Sequence, residues 1–112
     1  MTRQDSIAVV EAYLKGLMNK DLSNVSFAAE ITFEGPRVPK LTGRQNVIAF
    51  LTGILPAIKD IRIKQHIVEG EYVASVFDME TIYGTDSVFD LLHVVNGQLN
   101  AIQSFFYPQS LK

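Results

Sequence analysis

Along this 112-residue chain the spacing of apolar residues changes once, near Ile61, and that change limits the folds open to it. Upstream, Ile7, Val10, Leu14, Leu17 and Met18 recur at three- and four-residue intervals, as do Val47, Phe50, Leu51, Ile54 and Leu55. Both patterns put one apolar stripe on a helix. Downstream the period is two: Ile61, Ile63 and Ile67 share one side of a strand while Arg62, Lys64 and His66 share the other, which describes a sheet with one wet face. Helices first and a meander of long strands afterwards imply an α+β domain over residues 1–112, its helices packed on one face of a curved antiparallel sheet.

Punctuation fixes the elements. Asp5 or Ser6 caps the first helix, which runs to Asn19. A turn at 21–24 leads to a short second helix over 25–28, and Ile31-Thr32-Phe33 forms a brief strand ended by Glu34-Gly35-Pro36. Residues 36–41, with a second proline at Pro39, read as an irregular loop. Thr42 caps the next helix, and Pro56 ends it. Strands follow over 71–83, 87–95 and 99–107, separated by Gly84-Thr85 and by Asn96-Gly97, the strongest short hairpin signal present. Pro108 stops the last strand.

Composition removes several function classes. A net charge of -2 without a basic cluster gives no footprint for nucleic acid and no polybasic tract for a membrane surface. Cysteine is absent, which excludes disulfides and sulfur-ligated metals. The two histidines lack metal-ligand spacing, so no metal or other cofactor is expected. No apolar run approaches the roughly 20 residues of a spanning helix, and the N-terminus lacks the order of a signal peptide. A cytoplasmic protein is the default expectation.

Against this background Asp90 stands out, a carboxylate inside the apolar run Ser87-Val88-Phe89-Asp90-Leu91-Leu92-His93-Val94-Val95. Such a group must find a partner or give up its charge. A two-residue loop at Gly84-Thr85 places Asp90 opposite Met79, on one face with Ser75, Phe77, Val88 and Leu92. A bulge at Gly70 brings Ile61, Ile63 and Ile67 to the same face. The opposite face carries Ala74, Val76, Asp78, Glu80, Phe89, Leu91, His93 and Val95. That is too apolar to be wet throughout, which predicts a homodimer through the outer sheet face. The final hairpin leaves two registers open. A bulge at Gly97 sends Asn100, Ile102, Ser104 and Phe106 inward; a tight turn sends Leu99, Ala101, Gln103 and Phe105. The bulge is favoured.

Five segments together resemble the SnoaL-like families of the nuclear transport factor 2-like (NTF2-like) superfamily: Val9-Val10-Glu11-Ala12-Tyr13-Leu14, Asp21-Leu22, Phe33-Glu34-Gly35-Pro36, Leu41-Thr42-Gly43-Arg44 and Asp90-Leu91-Leu92-His93-Val94-Val95-Asn96-Gly97-Gln98. The resemblance covers nearly the whole chain. It implies an NTF2-like, cystatin-like cone with a pocket between helices and sheet, commonly dimeric. The superfamily includes isomerases, cyclases, dehydratases, epoxide hydrolases and non-catalytic binding modules, so fold does not give function. Ketosteroid isomerase, an established case of a tyrosine and a neutral carboxylic acid donating to a developing oxyanion, is the member whose logic can be tested on these residues. Tyr13 matches its helix-one tyrosine, and Asp90 matches its strand acid with one residue dropped in the last hairpin. Its general base falls at Gly35, and neighbouring Glu34 points the other way in an extended chain. Steroid isomerisation is therefore disfavoured.

The candidate catalytic pair is thus Tyr13 and Asp90, with Phe33, Phe50, Phe77, Met79, Ile102 and Phe106 as an apolar, substrate-binding wall for a small apolar, carbonyl-bearing molecule. Each has a plainer reading: a core tyrosine with an arbitrary partner, a carboxylate with a structural donor, aromatics that simply fill a core. His66 and His93 fall on the outer face, as surface or interface residues. Glu34 and Arg37 lie at the rim of the expected pocket. Asp78 and Glu80, two apart on the outer face, are expected in solvent or in salt bridges across a dimer.

Overall fold

The computed structural model describes residues 2–36 and 38–106. Helix α1 (Arg3–Asn19) opens one turn earlier than expected, because Thr2 rather than Asp5 or Ser6 is its cap. The Thr2 hydroxyl accepts from the Asp5 N–H and the Asp5 carboxylate accepts from the Thr2 N–H, each at 3.1 Å, a reciprocal capping box. Lys20, in left-handed conformation, ends α1, and the Asp21 N–H turns back to the Gly16 carbonyl at 2.9 Å. That return brings the chain so close to Gly16 that a Cβ there would meet the Asp21 carbonyl oxygen at 2.9 Å.

The expected helix over 25–28 does not form. Strand β1 (Phe27–Gly35) begins there instead, since Phe27 pairs in parallel with Leu99 and the Leu99 N–H donates to Ser26. Four residues cannot nucleate a helix against that competition. The loop expected over 36–41 is also largely strand: β2 (Val38–Thr42) pairs antiparallel with β1. Pro39 is tolerated because β2 is a sheet edge, where alternate N–H groups need no partner. Gly43, not Thr42, is the cap residue of α2 (Arg44–Ile54), and its φ of 96° is open to glycine. A single 3-10 turn (Leu55–Ala57) containing Pro56 closes α2, as the proline signal predicts.

Strands β3 (Ile58–Glu69), β4 (Tyr72–Thr81), β5 (Gly84–Val95) and β6 (Gln98–Phe106) form the meander. The sheet order is β2-β1-β6-β5-β4-β3, antiparallel except for the β1–β6 pair, so the sheet is mixed rather than wholly antiparallel. Tyr107 and Pro108, expected at the end of the last strand, lie outside the described residues, as does Arg37. Helix α1 packs on β3 and α2 on β1, with Val10, Leu14, Leu17, Val47 and Leu51 buried against Ile31, Val73, Leu92, Val94, Leu99 and Ile102.

Three registers differ from expectation. The β4–β5 turn is Ile82-Tyr83, closed by the Thr81 hydroxyl, which accepts from the Tyr83 N–H at 3.1 Å and donates to the Gly84 carbonyl at 3.2 Å. Asp90 consequently sits opposite Ser75, and Met79 opposite Asp86. Because the register moves by an even number of residues, Asp90 keeps its inward face. In β3 an extra residue, Lys64, separates the pairs Ile63–Phe77 and Gln65–Val76, and the turn is the tight pair Gly70-Glu71. This bulge reverses the faces beyond it: Ile67 turns outward, 53% exposed, and His66 turns inward opposite Ser75. The last hairpin combines both alternatives. Asn96-Gly97 makes a tight turn with φ of 51° and 77°, sending Leu99 inward, and Asn100 then bulges so that Ile102, Ser104 and Phe106 also face inward.

Candidate functional site

The inner sheet face is organised in cross-strand rows. One row is polar: His66, Ser75, Asp90 and Ser104 lie opposite one another on β3, β4, β5 and β6. Apolar rows flank it, Ile63–Phe77–Val88–Phe106 on one side and Val68–Val73–Leu92–Ile102–Phe33 on the other. Strict alternation along β5 makes this possible, since Asp86, Val88, Asp90, Leu92 and Val94 are all buried.

Asp90 is 2% exposed and Ser75 wholly buried. Burial disfavours the charged carboxylate and pushes the Asp90 pKa up to about 7, against the opposing effect of a hydrogen bond with the Ser104 side chain. Its second oxygen, Oδ1, is buried without a hydrogen-bond partner, the one such side-chain atom among the described residues. Tyr13 reaches the same interior from α1, and its pKa is raised well above the ordinary value by burial and then by the Asp90 charge. The pair therefore shares one region of low dielectric, although the tyrosine does not satisfy Oδ1. Both groups are held toward their protonated forms, in which each is a hydrogen-bond donor.

Of the six apolar residues of the predicted wall, Phe33, Phe77 and Ile102 are core residues; Phe50, Met79 and Phe106 are partly buried against the core. Phe33 and Phe50 meet with ring centroids 5.1 Å apart, at the β1–α2 end. Gly35, where the isomerase base would stand, borders the polar row: a Cβ there would lie 3.8 Å from the Ser104 Cβ.

His66 is not the outer-face residue predicted from strict alternation. Its Nδ1 lies 2.7 Å from Ser75 Oγ and its Nε2 lies 3.1 Å from Glu11 Oε2. The adjacent apolar pair Ile67-Val68, which interrupts the alternation, is the sequence signal that could have located the phase slip. His93 does face outward, stacked on Tyr72 at 4.5 Å and hydrogen-bonded to Glu71 at 3.0 Å. Asp78 pairs with Lys64 and accepts from Ser87, while Glu80 pairs with Lys59 and Arg62, so these ion pairs lie within one chain. Among the described residues no three His, Asp or Glu side chains converge to hold a metal ion, and no helix is long and apolar enough to cross a membrane.

Surface depressions among the described residues include two near the sheet and α2. One of about 210 Å³ lies on the outer face among Thr32, Glu34, Lys40, Tyr72, Leu91 and His93, with Glu34 held by Gln103 at 3.0 Å. The other, about 400 Å³, surrounds the start of α2 at Gly43–Asn46. Neither is lined by Tyr13, Asp90 or the six apolar residues. The polar row lies beneath α1, from which Glu11 reaches His66.

Solved structures share this architecture. A steroid delta-isomerase from Pseudomonas aeruginosa is 16% identical, with 95% of this chain and 82% of that one covered at a TM-score of 0.78. An NTF2-like protein of unknown function from Cytophaga hutchinsonii is 17% identical, with 95% and 93% covered at 0.82. A protein provisionally assigned as a SnoaL-like polyketide cyclase from Jannaschia sp. CCS1 is 11% identical, with 96% and 89% covered at 0.80. These likenesses bear out the NTF2-like α+β fold. No protein of curated function matches the chain in sequence. The family model described as "Domain of unknown function (DUF4904)" matches residues 1–111, and the chain belongs to that family.

Proposed function

We propose that the protein binds a small apolar, carbonyl-bearing molecule between its helices and sheet, with Asp90 and Tyr13 donating hydrogen bonds to the carbonyl oxygen. The observation that carries this reading is Asp90 Oδ1, a buried oxygen with no partner. Such atoms are rare in native interiors, and a ligand group is one of the few things that satisfies them. A carboxyl with a pKa of about 7 is substantially neutral near pH 7, so it can donate as well as accept. Two protonated donors to one carbonyl oxygen stabilise the charge that develops there in isomerase-, cyclase- or hydratase-type chemistry. Because Asp90 and Tyr13 are each 2% exposed, admission of the ligand requires the helices to part from the sheet.

A non-catalytic binding module is the second reading, and Gly35 favours it, since the position bordering Ser104 lacks a base. In either case a homodimer through the outer face is supported by the exposed Tyr72, Phe89 and Phe105 on that face. The test uses 1-indanone labelled with 13C at its carbonyl. Saturable binding with a downfield carbonyl shift, lost in Asp90→Leu, is the expected outcome; absence of saturable binding, or equal affinity in Asp90→Leu, overturns the reading.

A further inference from the structure

The polar row does not end inside the protein. From Asp90 it runs to Ser75 directly opposite, from Ser75 Oγ to His66 Nδ1 at 2.7 Å, and from His66 Nε2 to Glu11 Oε2 at 3.1 Å. Side-chain exposure rises along it, from a buried serine to 9% at His66 and 39% at Glu11. We propose that Ser75, His66 and Glu11 form a proton path between the buried Asp90 carboxyl and solvent, a role that rests on reading Asp90 as the acid of the ligand site.

Hydrogen-bond polarity supports the path. A carboxylate only accepts, so the Glu11 contact requires a proton on His66 Nε2. In the neutral imidazole Nδ1 is then an acceptor, and it takes the Ser75 hydroxyl hydrogen. With its only hydrogen committed to His66, Ser75 Oγ still has lone pairs free to accept from the protonated Asp90 carboxyl. Residues directly opposite on one sheet face have Cβ atoms about 4.5–5.5 Å apart, so one rotamer change brings the Asp90 carboxyl onto Ser75 Oγ.

Transfer along the path balances. The Asp90 O–H breaks as a new O–H forms on Ser75, and the original Ser75 hydrogen passes to His66 Nδ1, giving an imidazolium. The Nε2 proton then leaves through the Glu11 carboxylate to water. The path ends with Ser75 donating its new hydrogen to the Asp90 carboxylate and accepting from His66 Nδ1–H. The net result is one proton moved from Asp90 to solvent, and reprotonation runs the same steps in reverse. The titratable groups facing the path are Glu11 and Tyr13 from α1, His66 from β3, and Asp86 further along the inner face of β5. From β4 and β6 the polar residues beside the row are Ser75 and Ser104, with Thr81 buried at the far end of β4.

The relaxation of the Asp90 carboxylic C=O band after a pH jump, followed by time-resolved infrared spectroscopy and assigned by its loss in Asp90→Asn, tests the path. Ser75→Ala should slow relaxation by roughly tenfold or more, the low end of what a positioned acid–base group contributes, and Ser75→Thr, which keeps the hydroxyl, should restore it. A purely structural serine predicts no such rescue by hydroxyl alone. Should Ser75→Ala fail to fold, His66→Gln serves in its place. Wild-type relaxation in both Ser75→Ala and His66→Gln overturns the path. Failure of 1-indanone to bind, alongside slowing in Ser75→Ala, removes the ligand reading and leaves the path standing. Asp90-dependent binding with unchanged relaxation removes the path alone.

Discussion

Replacing Asp90 with asparagine keeps the shape of the side chain and removes its titration, and the consequence for stability follows from the environment of the carboxyl. In the unfolded chain the group ionises near 3.8; in the fold, burial raises this to about 7. Between those values the folded state holds a proton that the unfolded state has released, so stability falls as pH rises. Each pH unit across the window is worth about 1.4 kcal/mol, giving a total near 4 kcal/mol. The contribution is fully present below pH 3.8 and fully lost above pH 7. Asp5, Asp21 and Asp78, whose pKa values are lowered by hydrogen bonds, act in the opposite sense at acid pH, but they are common to both proteins and cancel in the difference. Urea unfolding of wild type and Asp90→Asn at half-unit steps from pH 4 to 8 measures that difference directly. The wild type should lose about 4 kcal/mol relative to the variant across the series. A difference flat to within about 0.5 kcal/mol refutes the assignment of a neutral, buried acid.

Gly16→Ala should destabilise by about 1–3 kcal/mol in urea unfolding, because the new Cβ meets the Asp21 carbonyl oxygen at 2.9 Å and Val25 Cγ2 at 3.0 Å; a neutral result means that the turn after α1 relaxes freely. Leu92→Ala removes a wholly buried side chain paired with Val73 and Ile102 and should cost about 2–5 kcal/mol in the same assay. The double change Phe89→Lys with Phe105→Lys breaks an exposed edge-on ring pair with centroids 6.1 Å apart. Under the proposed outer-face dimer, light scattering should report a dimer for wild type and a monomer for the double variant, with the unfolding midpoint preserved; a monomeric wild type at micromolar concentration refutes the outer-face interface.

Where local chemistry decides structure, the sequence is readable. The apolar stripe from Val10 to Leu17 is buried as drawn, Asn96-Gly97 makes its hairpin, and Pro56 stops α2. Asp90 faces inward although its partner is Ser75 rather than Met79, because parity survives an even displacement of register. Competition between distant segments is harder to read. Residues 25–28 carry no warning that Phe27 will be claimed by Leu99, and Pro39 reads as a loop until β2 is known to be an edge. His66 is the instructive failure at the site. Its neighbours alternate correctly, yet one uncounted residue upstream moves it from solvent to core, and with it Glu11 acquires a partner that helix periodicity gives no reason to seek.

Lys64 therefore matters more for where it stands in the count than for the ion pair its ammonium makes with Asp78 at 3.1 Å. A single in-frame codon gained or lost at this point exchanges a water-facing imidazole for one wired into the interior and reverses the faces of Ile67 and Val68 with it. Relatives aligned column by column across β3 can thus carry the same histidine in opposite roles. The backbone hydrogen-bonding phase, rather than identity at position 66, is the character to compare among them.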